Sequence, residues 1–180
     1  MLTDRQLKGV INTYMAEQRI DEGIWFYRHV ESIIPNVIVE IGVKEGGNLK
    51  ILSSHLNKGD LLIGIDQRKK ESIPWKMDDA RCQVRYIEGD SHSKETISQI
   101  VSILDGRLID VLFIDGDHSY TGMLQDHADY SPFVRHGGII AFHDIYYLED
   151  VAKAWQSLEG RKFEFERNQS SIGIGFIIKD

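Results

Sequence analysis

Three polar residues follow two apolar runs in the second half of the chain. Asp115 comes directly after the run V-L-F-I, and His143 and Asp144 come directly after the run I-I-A-F. Neighbouring strands of a parallel sheet lie about 5 Å apart, so we expect these side chains to converge at one edge. Carboxylate oxygens suit Mg²⁺ or Mn²⁺, and a histidine shifts the preference towards Mn²⁺, Fe²⁺ or Zn²⁺. The spacing predicts a divalent metal site formed by Asp115, His143 and Asp144.

A further histidine, His118, lies three residues beyond Asp115 in the turn after the same run. The unperturbed pKa of imidazole is near neutrality, which suits a general base. A structural role is the alternative for the whole cluster, because Asp and His side chains at strand ends also cap helices or bind loop backbone.

A glycine-rich turn follows a third apolar run, residues 37–41. The pattern there is E-x-G-x-x-x-G, with Glu40, Gly42 and Gly46 as its fixed positions. It differs from the G-x-G-x-x-G of dinucleotide sites and lacks the G-K-[ST] of a P-loop. An acidic residue before the turn would repel a phosphate, and it suits a ligand with a cationic end. An ordinary strand-to-helix turn without a ligand is the alternative.

Two more strand ends carry polar residues of interest. Asp66 ends the run L-L-I-G-I-D, where an acidic residue typically accepts hydrogen bonds from an adenosine ribose. A solvated strand-end carboxylate is the alternative for this residue. Asp90 and Ser91 follow the run Q-V-R-Y-I-E, where either side chain is suited to cap the next helix.

Apolar periodicity predicts the elements that hold these residues. Two helices are expected before Pro35, capped by Thr3 and Asp21, and another is expected over residues 48–57. Helices also follow Ser91, surround Met123 and cover residues 148–158. Two further strands, K-F-E-F-E-R and I-G-I-G-F-I-I, are expected to form a hairpin through residues 168–171. The loop containing Trp75 is a candidate wall of the ligand site.

Composition bounds the class of protein. The chain has 180 residues, which predicts one domain, and it has 42% hydrophobic and 27% charged residues. The net charge is −7 and the basic cluster is Arg68-Lys69-Lys70, which disfavours nucleic acid as a partner. No apolar run is long enough to cross a membrane. The N-terminal sequence lacks the apolar core of a signal peptide, and the lone Cys82 suits a reducing compartment, so a cytoplasmic location is expected.

The paired motifs carry a family resemblance. I-D-G-D-H-S-Y followed by G-G-I-I-A-F-H-D-I, together with V-E-I-G-V-K-E-G-G and G-I-D, resembles the class I S-adenosylmethionine-dependent methyltransferases. The similarity is to the subgroup of cephalosporin-hydroxylase-like and macrolide-sugar O-methyltransferase proteins, and it spans residues 35–145. It implies a three-layer α/β/α Rossmann-like fold with a mostly parallel seven-stranded sheet and a C-terminal antiparallel hairpin. Residues 1–180 are then one domain, with N-terminal helices in residues 1–35 and the core in residues 36–180.

The resemblance also implies roles for the site residues. The cofactor S-adenosylmethionine is expected to place its amino-acid and sulfonium end against Glu40, Gly42 and Gly46. Its ribose is expected to bind Asp66, and its adenine is expected to contact Asp90 and Ser91. Asp115 is expected to lie beside the cofactor. A Mg or Mn ion is expected on Asp115, His143 and Asp144, with His118 as the catalytic base. His143 departs from the family pattern, in which an acidic residue is common.

The expected activity is methyl transfer to a small-molecule hydroxyl. The alternatives are a metal-dependent hydrolase or oxygenase built on the His/Asp cluster, and a non-catalytic module that binds the cofactor. A chain of this length has few residues left to cover an acceptor. A neighbouring subunit is a candidate for completing the pocket, so a homo-oligomer is expected.

Overall fold

The computed structural model describes residues 3–13, 19–72, 80–166 and 172–180. These residues form a sheet of seven strands in the order β3-β2-β1-β4-β5-β7-β6. β1 to β5 run parallel to one another, whereas β7 lies antiparallel between β5 and β6. The strands are β1 (Val37–Ile41), β2 (Leu61–Asp66), β3 (Gln83–Glu88), β4 (Ile109–Ile114), β5 (Val134–His143), β6 (Arg161–Glu164) and β7 (Ile174–Ile178). The expected sheet and its C-terminal hairpin are confirmed.

Helices cover both faces of this sheet. Side chains from the first three helices pack on one face, and side chains from the last three pack on the other. The helices are α1 (Asp4–Thr13), α2 (Ile20–Ser32), α3 (Gly47–Ser53), α4 (Lys94–Leu104), α5 (Tyr120–Tyr130) and α6 (Glu149–Ser157). Every residue of β1 and β4 is buried, because both strands lie in the middle of the sheet between two helical layers. The three-layer α/β/α architecture is therefore confirmed.

The parallel register brings the predicted polar residues to one edge. Ile41 at the end of β1 is level with Ile65 on β2 and with Ile114 on β4. Ile114 is in turn level with Phe142 on β5. The residues that follow these positions are Gly42, Asp66, Asp115 and His143. They therefore meet at the carboxyl edge of the sheet, where open α/β sheets bind ligands.

Capping confirms one expected helix start and corrects others. Thr3 caps α1, since its Oγ1 accepts the N–H of Gln6 at 3.3 Å while Gln6 Oε1 accepts the N–H of Thr3 at 2.8 Å. The expected Asp21 cap is wrong, because α2 begins at Ile20 and Asp21 lies in its first turn.

The helix after the loop of Asp90 and Ser91 is capped by neither of them. Ser93 takes that position and accepts the N–H of Thr96 at 3.1 Å. Asp90 instead accepts the N–H of His92, so its side chain is already used within the loop.

The helix expected over residues 48–57 ends at Ser53. The hydroxyls of Ser53 and Ser54 donate to the carbonyls of Lys50 and Ile51, at 2.6 Å each. The N–H groups of Ser54 and His55 bond to carbonyls three residues back instead of four, so the α-helical pattern ends here. Trp75 and residues 168–171, for which a wall and a hairpin turn are expected, lie outside the described residues. Among the described residues, no helix is both long and apolar enough to cross a membrane.

Candidate functional site

A cavity of 630 Å³ opens at the carboxyl edge of the sheet. Its walls come from the loops that follow β1, β2, β3 and β4, and its volume is in the range of small-molecule sites. Six residues singled out from the sequence line it: Gly42, Asp66, Asp90, Ser91, Asp115 and His118. The remaining four, Glu40, Gly46, His143 and Asp144, lie outside its lining.

The turn after β1 is shaped by its neighbour, the turn after β4. Gly42 has φ +85°, and a side chain there would overlap the carbonyl oxygen of Asp115 and come within 2.8 Å of the Gly116 nitrogen. The two strands are joined at this point by the N–H of Asp115, which donates to Ile41 O at 2.8 Å. Glycine is therefore required at position 42 by backbone contact as well as by the turn. Gly46, with φ +79°, occupies the N-cap of α3.

Glu40 is an interior residue, with 1% of its surface exposed. Its Oε1 accepts Asn48 Nδ2 at 3.1 Å, and Asn48 Oδ1 accepts the hydroxyl of Tyr27 at 2.6 Å. Its Oε2 has no hydrogen-bond partner among the described residues. Burial raises the pKa of the Glu40 carboxyl well above its usual range, and the bond from Asn48 opposes that shift. The nearby charge of Asp115 raises it further.

Asp66 faces the cavity from the end of β2 and also fixes the loops beside it. Its Oδ2 accepts the N–H of Lys44 at 2.7 Å, and its Oδ1 accepts the N–H of Arg68 at 2.8 Å. Arg68 in turn pairs with Glu45 at 3.1 Å. These bonds hold the carboxylate in place, and each oxygen retains a second lone pair for a ligand.

The loop after β3 is attached to helix α5. Asp90 Oδ1 accepts the N–H of His92 at 3.0 Å, and the hydroxyl of Tyr130 donates to Ser91 O at 2.7 Å. His92 lines the cavity together with Asp90 and Ser91. Sequence reasoning missed His92, and its position directly after Asp90 and Ser91 was the available signal. Asp117, which lines the cavity beyond Asp115, was missed as well.

Carboxylates and imidazoles meet where β4 and β5 end. His118 Nε2 lies 3.2 Å from Asp115 Oδ1 and 3.5 Å from Asp144 Oδ2. One ligand atom from each of these three residues lies within 4.8 Å of the others. His143 Nδ1 lies 3.4 Å from Asp115 Oδ1 and 3.3 Å from Asp144 Oδ1. The predicted convergence of Asp115, His143 and Asp144 is therefore present, and His118 joins it.

The charges in this cluster are strongly coupled. Burial alone would lower the pKa of His143, but the carboxylates of Asp115 and Asp144 outweigh it and raise that pKa to about 10. The hydrogen bond with Asp115 raises the pKa of His118, against the effect of burial. Burial would raise the pKa of Asp115, yet His143 and His118 hold it below its usual range. Two carboxylates this close to each other therefore favour a cationic partner.

The donor set fits a divalent ion. Two carboxylates and a ring nitrogen match the oxygen and imidazole preferences of Mn²⁺ and Fe²⁺, and Mg²⁺ accepts the carboxylates. Both ring nitrogens of His143 are buried and have no aligned hydrogen bond among the described residues, so a metal ion could take the place of the proton that the two carboxylates favour on this ring. Asp144 has φ +61°, a left-handed conformation that aspartate tolerates better than most residues.

Comparison of the sequence with known protein families identifies a match. Residues 39–145, more than half of the chain, match the family model of a methyltransferase domain. An uncharacterized protein of Acanthamoeba polyphaga mimivirus is 33% identical over 115 residues, which are 59% of this chain and 50% of that protein. The chain thus spans about half the length of this relative.

Solved structures show the same fold at low identity. The methyltransferase MycE of the mycinamycin biosynthetic pathway, in complex with Mg, SAH and mycinamycin VI, has a TM-score of 0.69 and 16% identity over 96% of this chain and 53% of its own. The O-methyltransferase from Bacillus cereus in complex with SAH has a TM-score of 0.66 and 14% identity, covering 99% and 93% of the two chains. TomG from Streptomyces achromogenes, an O-methyltransferase in complex with SAM, has a TM-score of 0.67 and 13% identity, covering 98% and 89%.

The segment that matches the family model covers the part of the sheet that forms the site. The segment 39–145 runs from β1 to the end of β5 and therefore contains every loop that lines the cavity. The resemblance to methyltransferases that the motifs indicate is confirmed, and the chain belongs to the methyltransferase domain family.

Proposed function

We propose that this chain transfers the methyl group of S-adenosylmethionine to a hydroxyl oxygen of a small molecule, with a divalent ion at the acceptor. The observation that carries the proposal is the cavity that joins Asp66 and Asp90 to Asp115 and His118. In the strand order, β2 and β3 lie on one side of β1, and β4 and β5 lie on the other. A cofactor across β1 would thus be held next to the His/Asp cluster. MycE, TomG and the Bacillus cereus enzyme, whose structures hold SAM or SAH, support this assignment.

The charge of the cavity supports this cofactor. Four aspartates line it, namely Asp66, Asp90, Asp115 and Asp117, and they outnumber the two cations of the lining, Lys44 and Arg68, so the cavity suits a cationic ligand better than a phosphate. S-adenosylmethionine would supply an electrophilic methyl group on a sulfonium cation. Asp66 would accept the ribose hydroxyls, and Asp90 and Ser91 would contact the adenine. Glu40, Gly42 and Gly46 would shape the amino-acid end, with Glu40 acting from the interior through its unpartnered Oε2.

We assign the metal to Asp115, His143 and Asp144, as the sequence predicts. A divalent ion there would lower the pKa of an acceptor hydroxyl. His143 is 4% exposed and lies against both carboxylates, so its contacts are with the cluster. The side chain of His118 is 44% exposed and lines the cavity, where an acceptor can reach it. This difference supports the proposal that His143 is the ligand and His118 the base.

His118 would then remove the proton of the acceptor hydroxyl. A positioned general base typically contributes about 10²–10⁴ in rate. The carboxylate of Asp115 at 3.2 Å orients the ring and stabilises its protonated form. The hydrolase and oxygenase alternatives have no support from the comparisons, which name methyltransferases.

The proposal predicts separable effects of cofactor and metal. Wild-type protein should bind S-adenosylhomocysteine in calorimetry, and turnover with a panel of small hydroxyl compounds should require Mg²⁺ or Mn²⁺. Asp144→Asn should remove most of the metal-dependent turnover. It should leave the affinity for S-adenosylhomocysteine unchanged, because Asp144 lies outside the cavity lining.

A matched control is Asp105→Asn. Asp105 is exposed and has φ +48°, so the same substitution is made in a similar backbone conformation away from the cluster. Absence of S-adenosylhomocysteine binding to the wild-type protein would contradict the proposed function. Metal-independent turnover would contradict the metal assignment alone.

A further inference from the structure

His92 is held between two structural elements beside the cavity. It lies in the loop after β3, and its Nε2 reaches helix α5, where it is 3.3 Å from Gly122 O and 3.2 Å from Asp126 Oδ1. Its Nδ1 is on the side of Asp90, 3.9 Å from Oδ1. Both His92 and Asp90 line the cavity. The ring therefore joins α5 to the cavity wall.

The surroundings of Nε2 determine which ring nitrogen carries the proton. Both groups that face Nε2, the carbonyl of Gly122 and the carboxylate of Asp126, are hydrogen-bond acceptors. A neutral imidazole has one donor and one acceptor nitrogen. In the neutral ring the proton is therefore favoured on Nε2, and Nδ1 is left as an acceptor, because Asp90 Oδ1 at 3.9 Å is too far from Nδ1 for a hydrogen bond.

Asp126 is a buried charge that the proposed chemistry does not use. It is 0% exposed, and neither of its oxygens has an aligned hydrogen bond among the described residues. Burial raises its pKa to about 6, while Ser91 and His92 act to lower it and the charges of Asp117 and Asp129 act to raise it. An interior carboxylate needs a compensating partner, and His92 is the imidazole in contact with it. One helical turn further on, Tyr130 holds Ser91, so α5 contacts this loop at two places.

We propose that Nδ1 of His92 accepts a hydrogen bond from the 6-amino group of the cofactor's adenine, and that Asp126 is the positioning residue that holds the ring in this orientation. The inference rests on the proposed function, because it requires an adenosyl cofactor in the cavity. The 6-amino group of adenine is a donor and matches an acceptor nitrogen. Hypoxanthine presents a carbonyl oxygen in the same place, which would leave Nδ1 facing another acceptor. The pair is thus a determinant of base specificity.

The test compares the affinity of S-adenosylhomocysteine with that of S-inosylhomocysteine, in which the amino group is replaced by oxygen. Wild-type protein should prefer the adenine compound by about 10-fold, the value of one lost hydrogen bond. Asp126→Asn and His92→Phe should each reduce this ratio to about 3-fold or less. A purely structural role would lower both affinities together and leave the ratio unchanged.

The matched control is Asp129→Asn, which removes a negative charge from the same helix without contacting His92. It should keep the wild-type ratio, and an equal loss of preference in this variant would overturn the role of Asp126. His92→Phe leaves the buried carboxylate in place, so it tests base reading even where Asp126→Asn folds poorly. If both His92→Phe and Asp126→Asn keep the wild-type ratio while S-adenosylhomocysteine still binds, the inference is wrong and the proposed function stands. If wild-type protein does not bind S-adenosylhomocysteine, both are wrong.

Discussion

Asp66 shows how one carboxylate is prepared for a ligand before the ligand binds. The backbone N–H groups of Lys44 and Arg68 fix its two oxygens from different loops. The ordering of this side chain therefore occurs during folding, so a ligand meets a carboxylate that is already oriented. Lys44 has φ +52°, and its bond to Asp66 holds the loop after β1 in that conformation.

Replacing Asp66 tests this arrangement. Asp66→Ala removes the proposed acceptors of the two ribose hydroxyls and the support of the adjacent loops, so we expect affinity for S-adenosylhomocysteine to fall by about 10- to 100-fold, corresponding to one or two hydrogen bonds to a charged group. Asp66→Asn should lose less, since one oxygen remains. Calorimetry measures both, with Asp150→Ala on the exposed surface of α6 as control. An unchanged affinity in Asp66→Ala would refute the ribose assignment.

Among the secondary-structure elements, the contact that fixes the shape of the site is between two turns. The turn after β1 and the turn after β4 touch through Gly42 and the backbone of Asp115. Each turn follows a strand whose direction is fixed by the parallel ladder, so the two turns cannot separate without breaking it. A Cβ added at Gly42 must therefore displace the backbone of Asp115 and Gly116 in the other turn.

Gly42→Ala tests this contact. Its cost combines left-handed strain with overlap against backbone, and we expect a loss of about 3–5 kcal/mol in the free energy of unfolding together with loss of turnover. Gly106→Ala is the control, because Gly106 has a similar φ of +78° and a side chain there would meet no atom within 4 Å. That variant should lose only the strain, about 1–2 kcal/mol. Denaturant unfolding measures both, and equal losses would show that the contact with Asp115 contributes nothing.

The whole molecule is built from two apolar cores on opposite faces of one sheet. The face that carries α1, α2 and α3 also encloses His55, whose side chain is 1% exposed. Its ring stacks on Tyr27 at 5.8 Å, and its Nδ1 lies 3.8 Å from Glu31 Oε1. Burial lowers the pKa of His55 to about 4, and Glu31 opposes this only in part. The protonated form of this residue is therefore disfavoured in the folded protein.

This predicts a loss of stability in mild acid. Because the folded pKa of His55 lies below its unfolded value near 6.5, the unfolded chain takes up the proton first as the pH falls. The contribution of neutral His55 is complete above pH 6.5 and is lost progressively down to about pH 4, by about 3 kcal/mol. Melting temperatures between pH 4 and pH 8 should show a smaller decline for His55→Gln than for wild type. His136→Gln, at an exposed histidine of β5, should decline as wild type does; a decline of wild-type size in His55→Gln would contradict the assignment.

Features close together along the chain were predictable because their causes are local. Alternating and continuous apolar runs set the strands, and the polar residue at each strand end followed from where the run stops. The helix starts at Ile20 and Lys94 were not predictable from cap residues alone, since several candidates lie within a few positions. Before α4, Asp90 is bonded to the N–H of His92 and Ser93 serves as the cap, whereas the N-cap of α2, Arg19, makes no side-chain hydrogen bond to the helix.

The sequence by itself determined the strands, the polar residues at their ends and the family resemblance. A parallel ladder brings strand ends to one edge whatever the helices do, which is why Asp66, Asp115 and His143 could be grouped in advance. Only the tertiary structure decided which side chains face the cavity. The burial of Glu40, the entry of His118 into the cluster and the contact of Asp126 with His92 depend on how helices pack on the sheet. That packing joins residues far apart in sequence, and no local pattern in the chain encodes it.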